Sequence, residues 1–352
     1  MRLGIVGCGD IAARYARAIA AADGLELVAA TDLQPERARG LVAGFGGVAH
    51  ETLDELLADE RVETVVNLTA AVAHADVTRA ALEAGKHVHS EKPLALRYAS
   101  ARALVELAAA RGLALGASPP TLLGEAQQTM WKLVRAGEIG RVRVAYGEAN
   151  WGRVETWHPS PTTLHAVGAM ADVGVYPITI LTALFGPARS VTAYAATLVP
   201  HRVEASGAAF TIETPDFVVA VLELEAGVVA RVTASFYVGA GYQRGLELHG
   251  DGGMLYLPTW GEADSRLLHS ATGADDYRER ELVRPPYRGI DWSRPLVDLA
   301  DAVRDGRRPR ASGEQAAHVV EILDAVVESA RRGGAVAVQS SFPPPEPLDW
   351  AR

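Results

Sequence analysis

The sequence predicts two domains of different class. An α/β domain with a parallel sheet is expected over residues 1–120, followed over 121–352 by an α+β domain with a large, open, mostly antiparallel sheet. Three observations carry this. Up to about Ala117, short apolar runs alternate with Ala- and Arg-rich helical stretches, which predicts strand-helix-strand units and a parallel sheet covered on both faces. Farther on, the apolar runs alternate at period two and are separated by Ala-Gly and Asp-Gly-Gly turns, the pattern of hairpins. With 352 residues, 49% of them hydrophobic, the chain can fill two cores.

In chain order, "RLGIVG", "LELVAATD", "TVVNLTA", "KHVHS" and "LALGAS" read as the parallel strands, with helices such as "IAARYARAIAAA" and "ADVTRAALEAG" between them. The segment "PPTLLGEAQQTMWKLVRAGEIG" reads as a connecting helix, opened by prolines and closed by Gly137. The period-two runs follow: "RVRVAYGEANW", "SVTAYAATLV", "DFVVAVLELEAGVVARVTASFYV" and "GLELHGDGGMLYLP". Only "DVGVYPITILTALFG", "SRPLVDLADAVRDG" and "SGEQAAHVVEILDAVVESARRGG" look helical in this half, and no internal repeat or low-complexity linker interrupts it.

Charge and composition exclude several classes. The net charge of −9 is spread along the chain without a basic block, so no nucleic-acid partner is expected. The start, "MRLGIVGCGD", lacks the apolar core and cleavage site of a secretion signal, and no run approaches the roughly 18 apolar residues of a membrane span. A single Cys excludes an internal disulfide, and a cytoplasmic protein with no membrane partner is the expectation.

The first motif predicts a cofactor. "GIVGCGDIAARYA" spaces Gly7, Gly9 and Ala12 as GxGxxA directly after a strand. Gly7 allows a tight turn, Gly9 lets the backbone approach a pyrophosphate, and Ala12 permits close helix-strand packing. The helix start at Asp10, Ile11 and Ala12 offers N–H groups to phosphate. The next strand ends in Asp32, 20 residues beyond Ala12, where a carboxylate can hold both ribose hydroxyls and repel a 2′-phosphate. NAD is therefore favoured over NADP, with Arg37 and Arg39 the argument for NADP. Cys8 reads as a small loop residue.

Such a fold binds at the carboxyl ends of its strands, which puts Glu91, Lys92 and Pro93 of "HVHSEKPLAL" near the nicotinamide. Pro93 has no N–H and a fixed φ, so it stiffens the loop that aims Lys92, and it admits a cis bond before it. By itself the Glu-Lys pair also reads as a surface pair closing a strand. A second cluster lies in "HAVGAMADVGVYPITILTALFG", where Asp172 and Tyr176 stand four apart at the start of an apolar helix and share a face. Separately, an acid there also serves as a helix cap and a tyrosine as core. Together with Lys92 they supply what hydride transfer needs: a base for the alcohol proton and a cation for the developing oxygen charge. An ammonium would favour the phenolate of Tyr176, and Asp172 would orient the alcohol or the lysine.

The GxGxxA start, "NLTAAVAHADVTRAALEAG", "GKHVHSEKPLA" and "DVGVYPITILTALFGP" together resemble the glucose-fructose oxidoreductase, inositol dehydrogenase and rhizopine-catabolism family, usually called Gfo/Idh/MocA. The resemblance covers nearly the whole chain, and the order of the motifs makes it specific. It implies a Rossmann domain, an open antiparallel sheet used to form homodimers or homotetramers, and nicotinamide-dependent oxidation or reduction of sugars, inositols and related polyols. Lys92 matches the lysine that contacts the substrate hydroxyl, Asp172 the acid of the second motif, and Tyr176 the acid/base. Glu91 matches the residue expected near the nicotinamide ribose. Thr69 and His74, on the loop flanking the nicotinamide, are counted with the cofactor residues, although His74 and His87 fall where the family has structural histidines. The family's tandem glycines appear here as "AVGAMAD" and its Pro-Pro as "TAAVAH"; both departures bear on substrate class more than on reaction class.

Between these motifs lies "EANWGRVETWHPSPTTLHAVG". Trp151, Trp157, His158 and His165 would face the substrate if this loop covers the site, with indole faces suited to a sugar ring and Arg153 to an anionic group. The same aromatics could instead pack the domain. His87 and His89 share a strand face but lack acids at ligand spacing, so no metal is expected. Three function classes remain: a sugar or polyol oxidoreductase, an NAD-retaining hydrolase or lyase that oxidises its substrate transiently, and a catalytically silent NAD-binding sensor. Lys92, Asp172 and Tyr176 together argue against the third.

Overall fold

The apolar runs of the first domain form the strands Arg2–Val6 (β1), Glu26–Thr31 (β2), Val48–His50 (β3), Thr64–Asn67 (β4), His87–Ser90 (β5) and Leu115–Ala117 (β6). In the computed structural model, which describes residues 1–239 and 241–352, they make one parallel sheet in the order β3-β2-β1-β4-β5-β6. The helices Ala12–Ala21 (α1), Pro35–Phe45 (α2), Leu53–Ala58 (α3), His74–Glu83 (α4) and Tyr98–Arg111 (α5) connect the strands. Both sheet faces are covered, which is why Leu3, Ile5, Val65, Val66 and Val88 are all buried without an alternating polar position. The strand order reverses between β1 and β4. That switch point opens a crevice at the carboxyl ends of the strands.

The chain divides into two compact units, Met1–Pro120 with Asp291–Val320, and Thr121–Ile290 with Glu321–Arg352. The sequence reading expected one crossing near residue 120; the return of 291–320 to the first unit differs from it. The reason lies in the helix Arg294–Asp305, whose stripe of Leu296, Leu299 and Ala302 is fully buried. After it, Ala117 N–H donates to Ala311 O at 3.0 Å and Ser312 bridges to Gly116, so the returning chain extends the β6 edge.

In the second unit, Glu125–Arg135 (α6) is the connecting helix, and Gly137 follows it at positive φ. A short helix, Pro161–Val167 (α7), was not foreseen. It leads into a single π turn, Met170–Gly174, and then Val175–Phe185 (α8), of which all but Leu184 are buried. The strands Val142–Asn150 (β7), Ala188–Ala196 (β8), His201–Val203 (β9), Ala209–Thr211 (β10), Phe217–Leu224 (β11), Val229–Ser235 (β12), Gly245–Gly250 (β13), Gly253–Leu257 (β14), Leu267–Ala271 (β15), Arg278–Arg280 (β16) and Val336–Ala337 (β17) complete it. Nine of them form the sheet β16-β15-β14-β13-β7-β12-β11-β8-β17, antiparallel except for the β7-β12 pair, and β9 and β10 form a separate hairpin.

Alternation along β11 explains how this sheet is used. Val218, Ala220, Leu222 and Leu224 are buried, whereas Val219, Val221 and Glu223 point the other way. On β7 the covered face receives α8 closely, since a side chain at Gly147 would place its Cβ 2.7 Å from Pro177 Cβ. The opposite face stays open, with Tyr194 63% exposed and Arg231 lying over the Tyr146 ring at 4.5 Å. No single helix among the described residues is long and apolar enough to cross a membrane.

Candidate functional site

At the end of β1 the chain turns at Gly7, whose φ is +90° and whose N–H donates to Thr31 O at 2.9 Å. A Cβ there would lie 2.8 Å from the Leu68 backbone, so only glycine fits. Gly9 is the opposite case: a Cβ would meet nothing within 4 Å, which leaves the backbone open to a large anion. No side chain caps α1, where Ile11 stands at the N-cap and Asp10 before it is exposed; buried Ala12 begins the helix proper. An uncapped helix start beside an open glycine suits a pyrophosphate. Asp32 is held beside it: Cys8 N–H donates to Oδ2 at 2.6 Å and Gln34 N–H to Oδ1 at 2.8 Å. These residues fit a dinucleotide. Burial first, and then the Asp32 charge, push the Cys8 thiol up to about 12 against the pull of Arg37, so it stays protonated.

The ends of β4 and β5 complete this edge. Asn67 Oδ1 accepts from Thr69 Oγ1 at 2.7 Å, and Asn67 Nδ2 donates to His74 O and Thr78 Oγ1. His74 is buried, with Nδ1 2.7 Å from Pro93 O and Nε2 2.9 Å from Thr69 O. It ties the two loops that flank the crevice. Glu91 is buried, and its Oε1 accepts from Tyr15 Oη at 2.7 Å and Ser118 Oγ at 2.9 Å. Lys92 N–H donates to Glu91 Oε2 at 3.1 Å, and the Lys92–Pro93 bond is cis. His89 is fully buried, and burial lowers it to about 4; burial lowers His87 as well, and His87 Nδ1 accepts from Ala114 N–H at 3.0 Å. His89 is interior and His87 half-buried, and no metal-binding group of three or more His, Cys, Asp or Glu occurs among the described residues.

In the second unit, Asp172 lies in the π turn and its N–H donates to Gly168 O at 2.9 Å. The α-helical face expected for Asp172 and Tyr176 is thus modified, because a π turn closes i→i+5 bonds in place of i→i+4. Both side chains are nonetheless buried, and the Tyr176 ring lies 4.7 Å from Trp260, whose Nε1 donates to Glu148 O at 2.9 Å.

The preceding loop separates the residues that were grouped by sequence. Trp151 and Trp157 are exposed and meet edge to face at 5.7 Å, and His158 stands 5.5 Å from Trp157 with Nδ1 accepting from Ser160 N–H. Arg153 is half-exposed, and its Nε donates to Glu155 Oε1 at 2.8 Å. His165 is turned inward between Phe210 and Phe236, with Nε2 3.6 Å from Glu155 Oε2, because its ring packs better there than in water. The loop is pinned by Arg202, a fully buried guanidinium that donates to Glu155 Oε1 at 2.7 Å, to Asp216 Oδ2 and to Val199 O. Tyr15, Ser118, Asn67, Trp260, Arg202 and Asp216 were missed by sequence reasoning. Except for Asn67, whose partners Thr69, His74 and Thr78 are near in sequence, each has a partner more than ten residues away, which the sequence alone does not pair.

Residues 1–118 match the family described as an oxidoreductase family with an NAD-binding Rossmann fold, and residues 127–256 match the GFO/IDH/MocA C-terminal domain. The chain is 34% identical over 195 residues to a dTDP-3,4-didehydro-2,6-dideoxy-alpha-D-glucose 3-reductase of Streptomyces violaceoruber, a match spanning 53% of this chain and 55% of that protein. An Actinomadura kijaniata protein of the same name is 28% identical over 94% of this chain and 96% of its own length. An inositol 2-dehydrogenase of Acidothermus cellulolyticus is 27% identical over 96% of this chain and 94% of its own. Among solved structures, a levoglucosan dehydrogenase complex with NADH and levoglucosan superimposes with a TM-score of 0.85 at 21% identity, covering 97% of this chain and all of that one. A 3-ketoreductase from Actinomadura kijaniata with NADP gives 0.74 at 25% identity, over 94% and 97%. With both of its domains matched, in the order that the motifs predict, the chain belongs to the Gfo/Idh/MocA family of oxidoreductases.

Proposed function

We propose that the protein transfers hydride between a nicotinamide cofactor and a hydroxyl or keto carbon of a sugar, inositol or related polyol, with NAD preferred to NADP. The observation that carries this is the crevice edge of the first unit, where an open Gly9, an uncapped helix start and a fixed Asp32 stand with Thr69, Glu91 and Lys92 at the ends of neighbouring strands. The bound nicotinamide supplies the hydride acceptor or donor. Lys92 then stabilises negative charge on the reacting oxygen, Tyr176 takes or returns its proton, and Asp172 orients the alcohol. Exposed Trp151 and Trp157 offer apolar faces to a sugar ring, and Arg153 is the cation for an anionic substituent. The Asp32 carboxylate, fixed by two backbone N–H groups, supports NAD, because a 2′-phosphate would meet a negative charge that cannot turn away.

The open sheet face with Val219, Val221, Tyr194 and Val229 supports a homodimer or homotetramer, and a single Cys supports a cytoplasmic setting. The test is turnover of purified protein with NAD on a panel of sugars, inositols and glycosides, followed at the NADH absorbance. Lys92→Met and Tyr176→Phe should each remove most of kcat and leave NAD affinity nearly intact. Product formation without net NADH would favour the transient-oxidation class instead.

A further inference from the structure

We infer that Tyr15, Ser118 and His89 are positioning residues for Glu91, a buried hydroxyl-imidazole clamp that fixes the carboxylate for the nicotinamide half of the cofactor. This rests on the reading that places Glu91 near the nicotinamide ribose. The three come from separate parts of the first unit: Tyr15 from α1, His89 from β5 and Ser118 from the turn after β6. All three are buried, as is Glu91, and the Tyr15 ring packs on Trp292 at 5.2 Å.

The hydrogens decide the arrangement. A buried carboxylate needs donors, and Glu91 Oε1 takes two, from Tyr15 Oη and Ser118 Oγ. With both hydroxyl hydrogens so committed, the 3.0 Å approach of the two oxygens cannot be a bond between them. His89 Nε2 lies 3.2 Å from Ser118 Oγ and 3.4 Å from Tyr15 Oη, so it must be the donor that both oxygens lack. That places the ring hydrogen on Nε2 and leaves Nδ1 bare. Nδ1 is buried beside Gly116 and has no hydrogen-bond partner. Burial, which lowers His89 to about 4, keeps the ring in this neutral form.

The consequence is a carboxylate with one orientation. Its Oε2 accepts from Lys92 N–H, so the path of the chain into Lys92 is coupled to it. A carboxylate accepts about four bonds, and three are met from within the protein, which leaves room for one outside donor such as a ribose hydroxyl.

The test compares binding of NADH with that of ADP-ribose, which lacks the nicotinamide, across the wild type, Tyr15→Phe, Ser118→Ala, Ser118→Thr and Glu91→Gln, with melting curves to confirm folding. Tyr15→Phe and Ser118→Ala should each weaken NADH about tenfold, leave ADP-ribose unchanged and lower kcat more than they raise KM. Ser118→Thr, which keeps a hydroxyl, should recover most of the loss, and Tyr15→Phe should add little in a Glu91→Gln background. If Tyr15→Phe and Ser118→Ala change both ligands equally, or neither, while Glu91→Gln weakens NADH alone, the clamp is refuted and the reading of Glu91 survives. If Glu91→Gln also spares NADH, both fall.

Discussion

Arg202→Met should destabilise the second unit by about 3–5 kcal/mol and raise KM for substrate without changing NAD affinity. The magnitude follows from what the guanidinium holds. Arg202, Glu155 and Asp216 have fully buried side chains, and Met would replace the aliphatic stem of Arg202 but not its bonds to the two carboxylates and Val199 O. Asp216 would keep the Leu198 N–H at 2.6 Å, and Glu155 would keep Arg153, whose half-exposed charge is screened by water. For a unit of roughly 200 residues this corresponds to a melting point lower by about 10 °C. The pH dependence has a definite sign. Burial pushes the Glu155 carboxyl up, but bonds from Arg202, its own backbone and Arg153 outweigh it and hold the group below the ordinary carboxylate range. Its contribution is therefore present above the unfolded value, about 4.3, and is lost as pH falls through the lower folded value. The deficit of the variant should be largest at neutral pH and shrink below about pH 4, since a protonated carboxyl needs no cation. Calorimetric scans of both proteins from pH 7 to pH 3 measure this. A melting point within about 2 °C of wild type at pH 7, or a deficit that does not narrow in acid, would refute the reasoning.

The chemistry makes other demands. Lys92→Met and Tyr176→Phe should each lower kcat by about 10²–10⁴ with NADH binding retained, and wild-type turnover by either removes it from the catalytic set. Asp32→Ala should weaken NAD and cut its preference over NADP by at least about tenfold; unchanged selectivity would move the determinant to Arg37. Cys8, with its thiol near 12, should react with iodoacetamide at pH 8 far more slowly than a free cysteine, and rapid labelling would overturn the burial argument. Val221→Lys on the open sheet face should reduce the mass seen by light scattering, whereas an unchanged oligomer would place the interface elsewhere.

The strands and their class were legible because their signals are local. Runs such as residues 3–6 and Thr64–Asn67 are buried at every position, as strands covered on both faces must be, whereas Phe217–Leu224 alternates because one face is open. The motif around Gly7 was legible for the same reason: its φ of +90° and its contact with the Leu68 backbone are constraints that one residue type satisfies. The return of 291–320 was not legible, since Leu296 and Leu299 announce only that a helix buries a stripe, never against which sheet. The π turn was hidden likewise, because its one extra residue leaves the apolar pattern of "DVGVYPITILTALFG" helical to the eye.

The candidate residues of the two units differ in how the sequence encodes them. In the first unit, strand register brings Gly7, Asp32, Thr69 and Lys92 to one edge, because each lies within two residues of the end of a strand of the same parallel sheet. Residue identity and position then suffice to foresee the group. In the second unit, the ladder holds the loop only at its start, where Trp151 and Gly152 donate to Ser235 O and Val238 O, and beyond it Arg202 joins Glu155 to Asp216 across 47 and 14 residues of chain. His165 shows the effect: by its position it reads as a substrate contact, yet the same cluster draws it inward against Phe210 and Phe236. The residues proposed to hold the cofactor are thus placed by backbone register. If the loop contacts substrate as proposed, exchanging Glu155, Arg202 or Asp216 should redirect it, and with it substrate choice, at little cost to the nucleotide site.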